Sequence, residues 1–154
     1  MDFQAYADRS NLPASEAMRV AALLDVDGPE HVSDVQLALT VSRGLRARSA
    51  RALARLLGTN RIVGPVIPEA TLRRARRAGK SLSREHSERL YEVGRVVDAV
   101  SCAFRGDRNA IEAFLNRPHP LLEGSTPLDL ARSSSAGADV VVSLIRRAEA
   151  GMAV

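Results

Sequence analysis

The chain of 154 residues is expected to be all-α, on three observations. Its 45% hydrophobic fraction is largely Ala, Leu and Val, with only five aromatic residues: Phe3, Tyr6, Tyr91, Phe104 and Phe114. That is the composition of a helical class. Apolar residues recur at three- and four-residue spacing in successive segments, the period of a helix face. Ser, Thr, Asp and Pro stand at segment starts and Gly at several stops. The length suits one domain or two small ones sharing a core.

Residues 14–25 read as a short helix, with Met18, Ala21, Ala22 and Leu24 spaced for partial burial. "DVDGPE" breaks it, and Pro29 is placed to start a second helix running through Val32, Val35, Leu39 and Ser42 to near Gly44. Nothing in residues 1–42 is chemically specific, so they are expected to form a mobile helical appendage. A third helix, 48–57, turns Ala52, Leu53, Leu56 and Leu57 to one side and Arg48, Arg51 and Arg55 to the other, and Gly58 stops it. "GTNRIVGPVIP" is turn-like. Pro68 then opens a helix through Ala78 in which Arg73, Arg76, Arg77 and Lys80 cover one arc, away from Leu72 and Ala75. Gly79 ends it, leaving Lys80 to project from the cap.

The longest helix is expected from about Arg84 to Phe104, capped by Ser83 with Glu85 in its first turn. Leu90, Val93, Val97, Val100 and Phe104 form a 3-4-3-4 seam, the spine of a core or else a dimer interface. Gly94 beside the seam lets another backbone come close. Asp107 caps the next helix, with Ala110, Ile111, Phe114 and Leu115 inward; Pro118 ends it by disfavouring helical geometry at Arg117. Thr126-Pro127-Leu128-Asp129 fits a capping box that starts a short helix to about Arg132. Leu121 and Leu122, in the corner before it, either pin the loop to the core or meet a partner. "SSSAG" separates the last helix, where Val140, Val141, Leu144, Ile145 and Ala148 share a face, Arg146 points away, and Val142 lies off the face in need of another partner. The tail from Gly151 is expected to be uncapped and flexible.

Charge is unevenly spread along the chain. Residues 1–42 carry two basic and seven acidic groups, residues 43–89 thirteen and three, and residues 90–154 seven and eight, giving −5, +10 and −1. The middle block is either a polyanion-binding face or the solvated surface of an arginine-rich composition, since Lys80 is the single lysine among 22 basic residues. Scarce aromatics argue against a stacking platform for single strands. The lone Cys102 excludes an internal disulfide and a thiolate-rich metal site, and is expected to be inert and partly buried. No apolar run approaches the ~18 residues of a membrane span, and the acidic start is no signal peptide, so a soluble cytoplasmic protein is expected. His31, His86 and His119 lie in separate segments without metal-ligand spacing, no nucleophile is paired with a base, and phosphate-cradling glycine patterns are missing. No enzyme, metal or cofactor is expected.

From residue 67 onward a family pattern emerges. "IPEATLRRARRAGKSLSREHSERLYEVGRVVDAV" and "AIEAFLNRPHPLLEGSTPLDLARSSSAGADVVVSLIRRAEAGMAV" resemble the Xre/MbcA/ParS antitoxins of RES–Xre toxin–antitoxin modules, closest to the ParS-like branch. Phe114, Leu115, Pro118, Pro120, Leu122, Gly124, Thr126, Pro127, Leu128, Asp129 and Leu130 supply the family's proline-rich core segment, and Gly137, Ala138, Val141 and Leu144 its last helix. The resemblance implies an antitoxin that binds a RES-domain, NAD-using toxin and covers its active site with the last helix and tail. Carried onto this sequence, the toxin-binding residues are Arg146, Arg147, Glu149, Gly151, Met152, Ala153 and Val154. It further implies a homodimer and a helix-turn-helix that binds operator DNA, here through Thr71, Arg73, Arg74, Arg76, Arg77 and Lys80. "RIVGPVI" departs from that pattern, because Gly64 and Pro65 interrupt the first helix of the pair.

The expected organisation is therefore a compact all-α multi-helix bundle in three regions. Residues 1–42 form the N-terminal appendage, 43–105 a degenerate helix-turn-helix-like and dimerisation region, and 106–154 a C-terminal toxin-binding module. The competing function is a stand-alone DNA-binding transcriptional regulator without a toxin partner.

Overall fold

The computed structural model describes residues 1–152, so Ala153 and Val154 of the expected toxin-binding set lie outside the described residues. In chain order the α-helices are α1 (Glu16–Leu23), α2 (Asp34–Arg43), α3 (Ala47–Leu57), α4 (Thr59–Ile62), α5 (Glu69–Ala78), α6 (Arg84–Ala103), α7 (Arg108–Asn116), α8 (Pro127–Ser133) and α9 (Ser135–Glu149). Short 3₁₀ turns occupy Phe3–Tyr6, Pro29–His31 and Pro120–Leu122. There is no strand among the described residues; Val63 and Ile67 form one isolated bridge. The all-α expectation holds.

The caps follow from side chains already visible in the sequence. Ser83, Asp107 and Thr126 each accept a hydrogen bond from the backbone N–H three residues on, satisfying a donor that the first helical turn leaves open. The second helix differs from expectation. Gly28 adopts a left-handed conformation and Pro29 opens only a 3₁₀ turn. The α-helix starts after Ser33, whose hydroxyl accepts from the Gln36 N–H while Gln36 Oε1 accepts from the Ser33 N–H. That reciprocal capping box is a stronger start than a proline at the first position. Its buried residues are Leu37 and Val41, whereas Val35 and Leu39 are exposed.

α6 is the spine, and it is enclosed more fully than one seam predicts. Leu90, Val93, Val96, Val97 and Val100 are all buried, and so are Gly94, Asp98 and Ser101 on another side. α1, α2, α8, α9 and the Phe3–Tyr6 turn pack around it, with α3 alongside. Val20 and Leu24 of α1 sit over Gly94 at van der Waals distance. The seam is spent inside the chain rather than held for a dimer contact. Residues 1–42, expected as an appendage, place Phe3, Tyr6, Val20, Leu23 and Leu24 in the same core as Leu115, Leu128 and Ile145.

The middle region holds a longer excursion. α4 is a single turn ended at Ile62, ahead of Gly64 and Pro65, and Ile62 is buried together with Val66 and Ile67 of the link to α5. α5 has no fully buried residue and rests on α3 through partly buried Leu72 and Ala75. Arg132 of α8 donates from Nη1 to the Arg61 carbonyl at 3.0 Å, tying this excursion to the C-terminal helices.

α8 and α9 are separated by Ser134 alone, not by a five-residue linker. Its hydroxyl caps α9 by accepting from the Gly137 N–H at 3.0 Å. The inward face of α9 is Gly137, Ala138, Val141, Val142, Leu144 and Ile145, so Val142 belongs to the core while Val140 and Ala148 are exposed. A Cβ at Gly137 would lie 2.3 Å from the Leu130 carbonyl oxygen. The missing side chain is what lets α9 start so close to α8.

Candidate partner-binding surfaces

Arg132, Thr126 and the prolines build a corner that sets the direction of the last two helices. The His119 N–H donates to the Ser125 carbonyl and the Gly124 N–H to the His119 carbonyl, both at 3.1 Å, closing the loop on itself. His119 Nδ1 also accepts from the Leu121 N–H, and its ring stands edge-on to Phe114, itself against Phe104. Leu122 is buried and Leu121 is half-exposed, which settles their roles: one pins the loop, the other faces outward. The Thr126 half of the capping box forms, while Asp129 turns to Arg132.

Beyond the corner, α9 leaves the core. Ile145 is its last buried residue, and Arg146, Arg147, Glu149, Gly151 and Met152 are exposed. The two arginines lie in the last turn, where cations complement the helix dipole. Arg146 pairs with Glu16 of α1 at 3.1 Å, and Glu149 with Arg9 at 3.4 Å. Behind them Arg95 of α6 bridges Glu92 (2.8 Å) and Asp139 (3.0 Å). Burial pushes the Glu92 carboxyl above its ordinary range, against the pull of Arg95.

The second surface is a basic groove between α3 and α5. Arg51 and Arg55 form one wall and Arg73, Arg76 and Arg77 the other, over a floor that includes Ala54, Val63 and Leu72. Thr71, Arg74 and Lys80 do not line it; Arg74 and Lys80 are exposed elsewhere and Thr71 is half-buried. Arg51 and Arg55 were legible as one side of a helix, but the chain alone does not say that α5 lies opposite them. Arg48 is drawn off to Asp27.

A buried polar cluster, unforeseen in the sequence, joins the N-terminus to α6. Asp98 takes a bidentate contact from Arg19 (Nε 2.9 Å, Nη2 3.0 Å) and a 2.8 Å hydrogen bond from the Tyr6 hydroxyl. Burial, then the Asp98 charge, push the Tyr6 phenol far up. Arg19 Nη1 also reaches the Pro13 and Ala14 carbonyls, so every part of this cluster is structurally committed. Cys102 is half-buried, and burial pushes its thiol up to about 11. Among the described residues no group of three or more His, Cys, Asp or Glu side chains is placed to hold a metal ion. No described helix is long and apolar enough to cross a membrane.

Fold and surfaces together describe a helical protein whose exposed features are a projecting helix end and an arginine-lined groove. Comparison with known families narrows the first of these: residues 103–151 match the model described as the antitoxin Xre/MbcA/ParS C-terminal toxin-binding domain. The match runs from the end of α6 through α7, the proline corner, α8 and α9. It supports an antitoxin role, with a protein toxin as the partner of this region. No curated protein matches the chain.

Proposed function

We propose that this protein is the antitoxin of a RES–Xre module, of the ParS-like branch, and neutralises a RES-domain, NAD-using toxin by covering its active site with the end of α9 and the tail. The observation that carries the reading is the coincidence of two limits. The toxin-binding family match ends at residue 151, and the last turn of α9, from Arg146 on, stands clear of the core. Arg146 and Arg147 suit a cleft that receives the anionic phosphates of NAD, since a guanidinium forks onto phosphate or carboxylate in a fixed plane. A short segment that orders inside a cleft pays entropy but makes dense contacts.

The test is a chain ending at Ile145, mixed with purified RES-domain toxin in an NAD-consumption assay. Its core is intact, because Ile145 is the last buried residue among those described, so its helical signal and melting are expected to stay close to those of the full chain. Inhibition is expected to be lost; a truncated chain that inhibits fully refutes occlusion.

The same protein is proposed to bind its own promoter as a cytoplasmic homodimer through the α3–α5 groove. Five arginines line this groove, one of them, Arg73, paired with Glu69 of the same lining at 3.6 Å, and together they supply the backbone-neutralising charge that duplex binding needs. With that second function comes regulation of its own synthesis.

A further inference from the structure

The segment from Arg9 to Glu16 meets the last turn of α9 at the surface on which the toxin reading rests. Arg9 and Glu16 lie outside residues 103–151, yet they contact Glu149 at 3.4 Å and Arg146 at 3.1 Å. Both are held in place by contacts that do not involve α9. Arg9 also donates to the Cys102 carbonyl at 3.2 Å, in the last turn of α6, where a cation is favoured. Glu16 is in the first turn of α1, where an anion is favoured, and lies 3.8 Å from Arg95. The loop between them is built rather than loose. Asp8 accepts from the Ser10 N–H, the Ser10 hydroxyl and Asn11 Nδ2, and Arg19 clasps the Pro13 and Ala14 carbonyls.

We propose that the toxin's footprint is composite: it covers Arg9, Glu16 and the loop between them together with the last turn of α9. The inference rests on the reading that α9's end engages the toxin. Its basis is contiguity and charge. Arg146 and Glu149 are partnered by exposed pairs, which exchange readily because each is worth about 0–1 kcal/mol. A partner that takes Arg146 and Glu149 for itself releases the Glu16 carboxylate and the Arg9 guanidinium beneath its own surface. Glu16 then keeps only Arg95 at 3.8 Å and Arg9 the Cys102 carbonyl, each having lost its nearer ion-pair partner. Charge left short of a partner under an interface is costly, so the fitting partner carries a base opposite Glu16 and an acid opposite Arg9.

Backbone hydrogen exchange of the full chain, with and without purified RES-domain toxin, tests this directly. Peptides covering residues 7–16 and 144–152 are both expected to gain protection. Protection confined to 144–152 overturns the composite footprint and leaves the α9 reading standing; protection in neither segment overturns both. The variants Arg9→Glu and Glu16→Arg are each expected to weaken toxin binding about tenfold or more, with melting temperature lowered only slightly, since each lost surface contact is worth about 0–1 kcal/mol. Undiminished affinity in both variants overturns the proposal. Should either variant melt much lower, the exchange experiment on the unaltered chain still decides.

Discussion

At the scale of single residues, Asp98 is the one charged side chain that is buried among the described residues. Its carboxylate is 3% exposed and satisfies a guanidinium and a phenol at once. Removing one member of such a pair strands the other, so Asp98→Ala is expected to cost about 3–5 kcal/mol. Tyr6→Phe loses one hydrogen bond to a charged group, about 1.5–3 kcal/mol, while Arg19 still compensates Asp98. Urea denaturation of both variants checks the ranking; equal losses would mean that the pair and the phenol are not separable. Cys102 yields a prediction in pH. With its thiol pushed up to about 11, roughly one molecule in a thousand carries the thiolate at pH 8, against a tenth or more for a free thiol. Alkylation of the folded protein is therefore expected to be slow at pH 8 and to accelerate towards pH 11. The linkage has a definite sign: the folded state holds its proton longer than the unfolded state. The stability this contributes is complete below the ordinary thiol range and declines as pH rises from about 9 towards 11.

Individual elements show which local signals survive folding. Gly137→Ala offers a direct comparison, since alanine favours a helix interior over glycine by about 1 kcal/mol. Here the added Cβ meets the Leu130 carbonyl at 2.3 Å and Ser133 Oγ at 3.0 Å, so α8 and α9 must separate. Overpacking of that kind costs about 1–3 kcal/mol and outweighs the propensity gain. The variant is expected to melt lower and, through a tilted α9, to bind toxin less well. For α5, replacing Arg73 and Arg77 by Ala removes two cations from one wall of the groove. The proposed binding to a duplex carrying its own promoter is expected to weaken, and its dependence on log salt to flatten by about one for each lost phosphate contact. Equal affinity at several salt concentrations would remove α5 from the interface. Ser83, Asp107 and Thr126 were legible as caps because a cap is a contact three residues long. The inward face of α2 was not, since Val35 and Leu39 keep helical spacing as well as Leu37 and Val41 do; only α6 packed against one side decides between them. Val142 was misplaced for the same reason, and the Asp98–Arg19 pair, 79 residues apart, has no local mark at all.

Across the whole molecule, the toxin-binding region depends on chain outside it. Its own helices bury Leu115, Leu128, Ala138, Val141, Leu144 and Ile145, but α8 and α9 turn that surface against α6, nearly all of which precedes residue 103. α6 is in turn covered on its Gly94 and Asp98 side by α1 and the Phe3–Tyr6 turn. The N-terminus reaches the matched region directly as well: Arg108 stacks over the Phe3 ring at 5.0 Å, and a Cβ at Gly106 would collide with the Phe3 carbonyl. A fragment of residues 103–154 therefore exposes the α6-facing side of two helices. At about 1.5–3 kcal/mol for each large apolar side chain left in water, that deficit exceeds what so short a helical fragment can recover. The excised region is expected to give a poorly dispersed amide spectrum and no cooperative melt. Extending it back to residue 84 restores α6 yet leaves Gly94 and Asp98 bare, so only partial order is expected. Cooperative unfolding is expected to return only when residues 1–42 are also present, as a single transition in which helix content and Tyr6 and Tyr91 fluorescence change together. A sharp melt from 103–154 alone would show instead that the toxin-binding region is self-sufficient, and would detach the composite surface at Arg9 and Glu16 from the folding of the helix it borders.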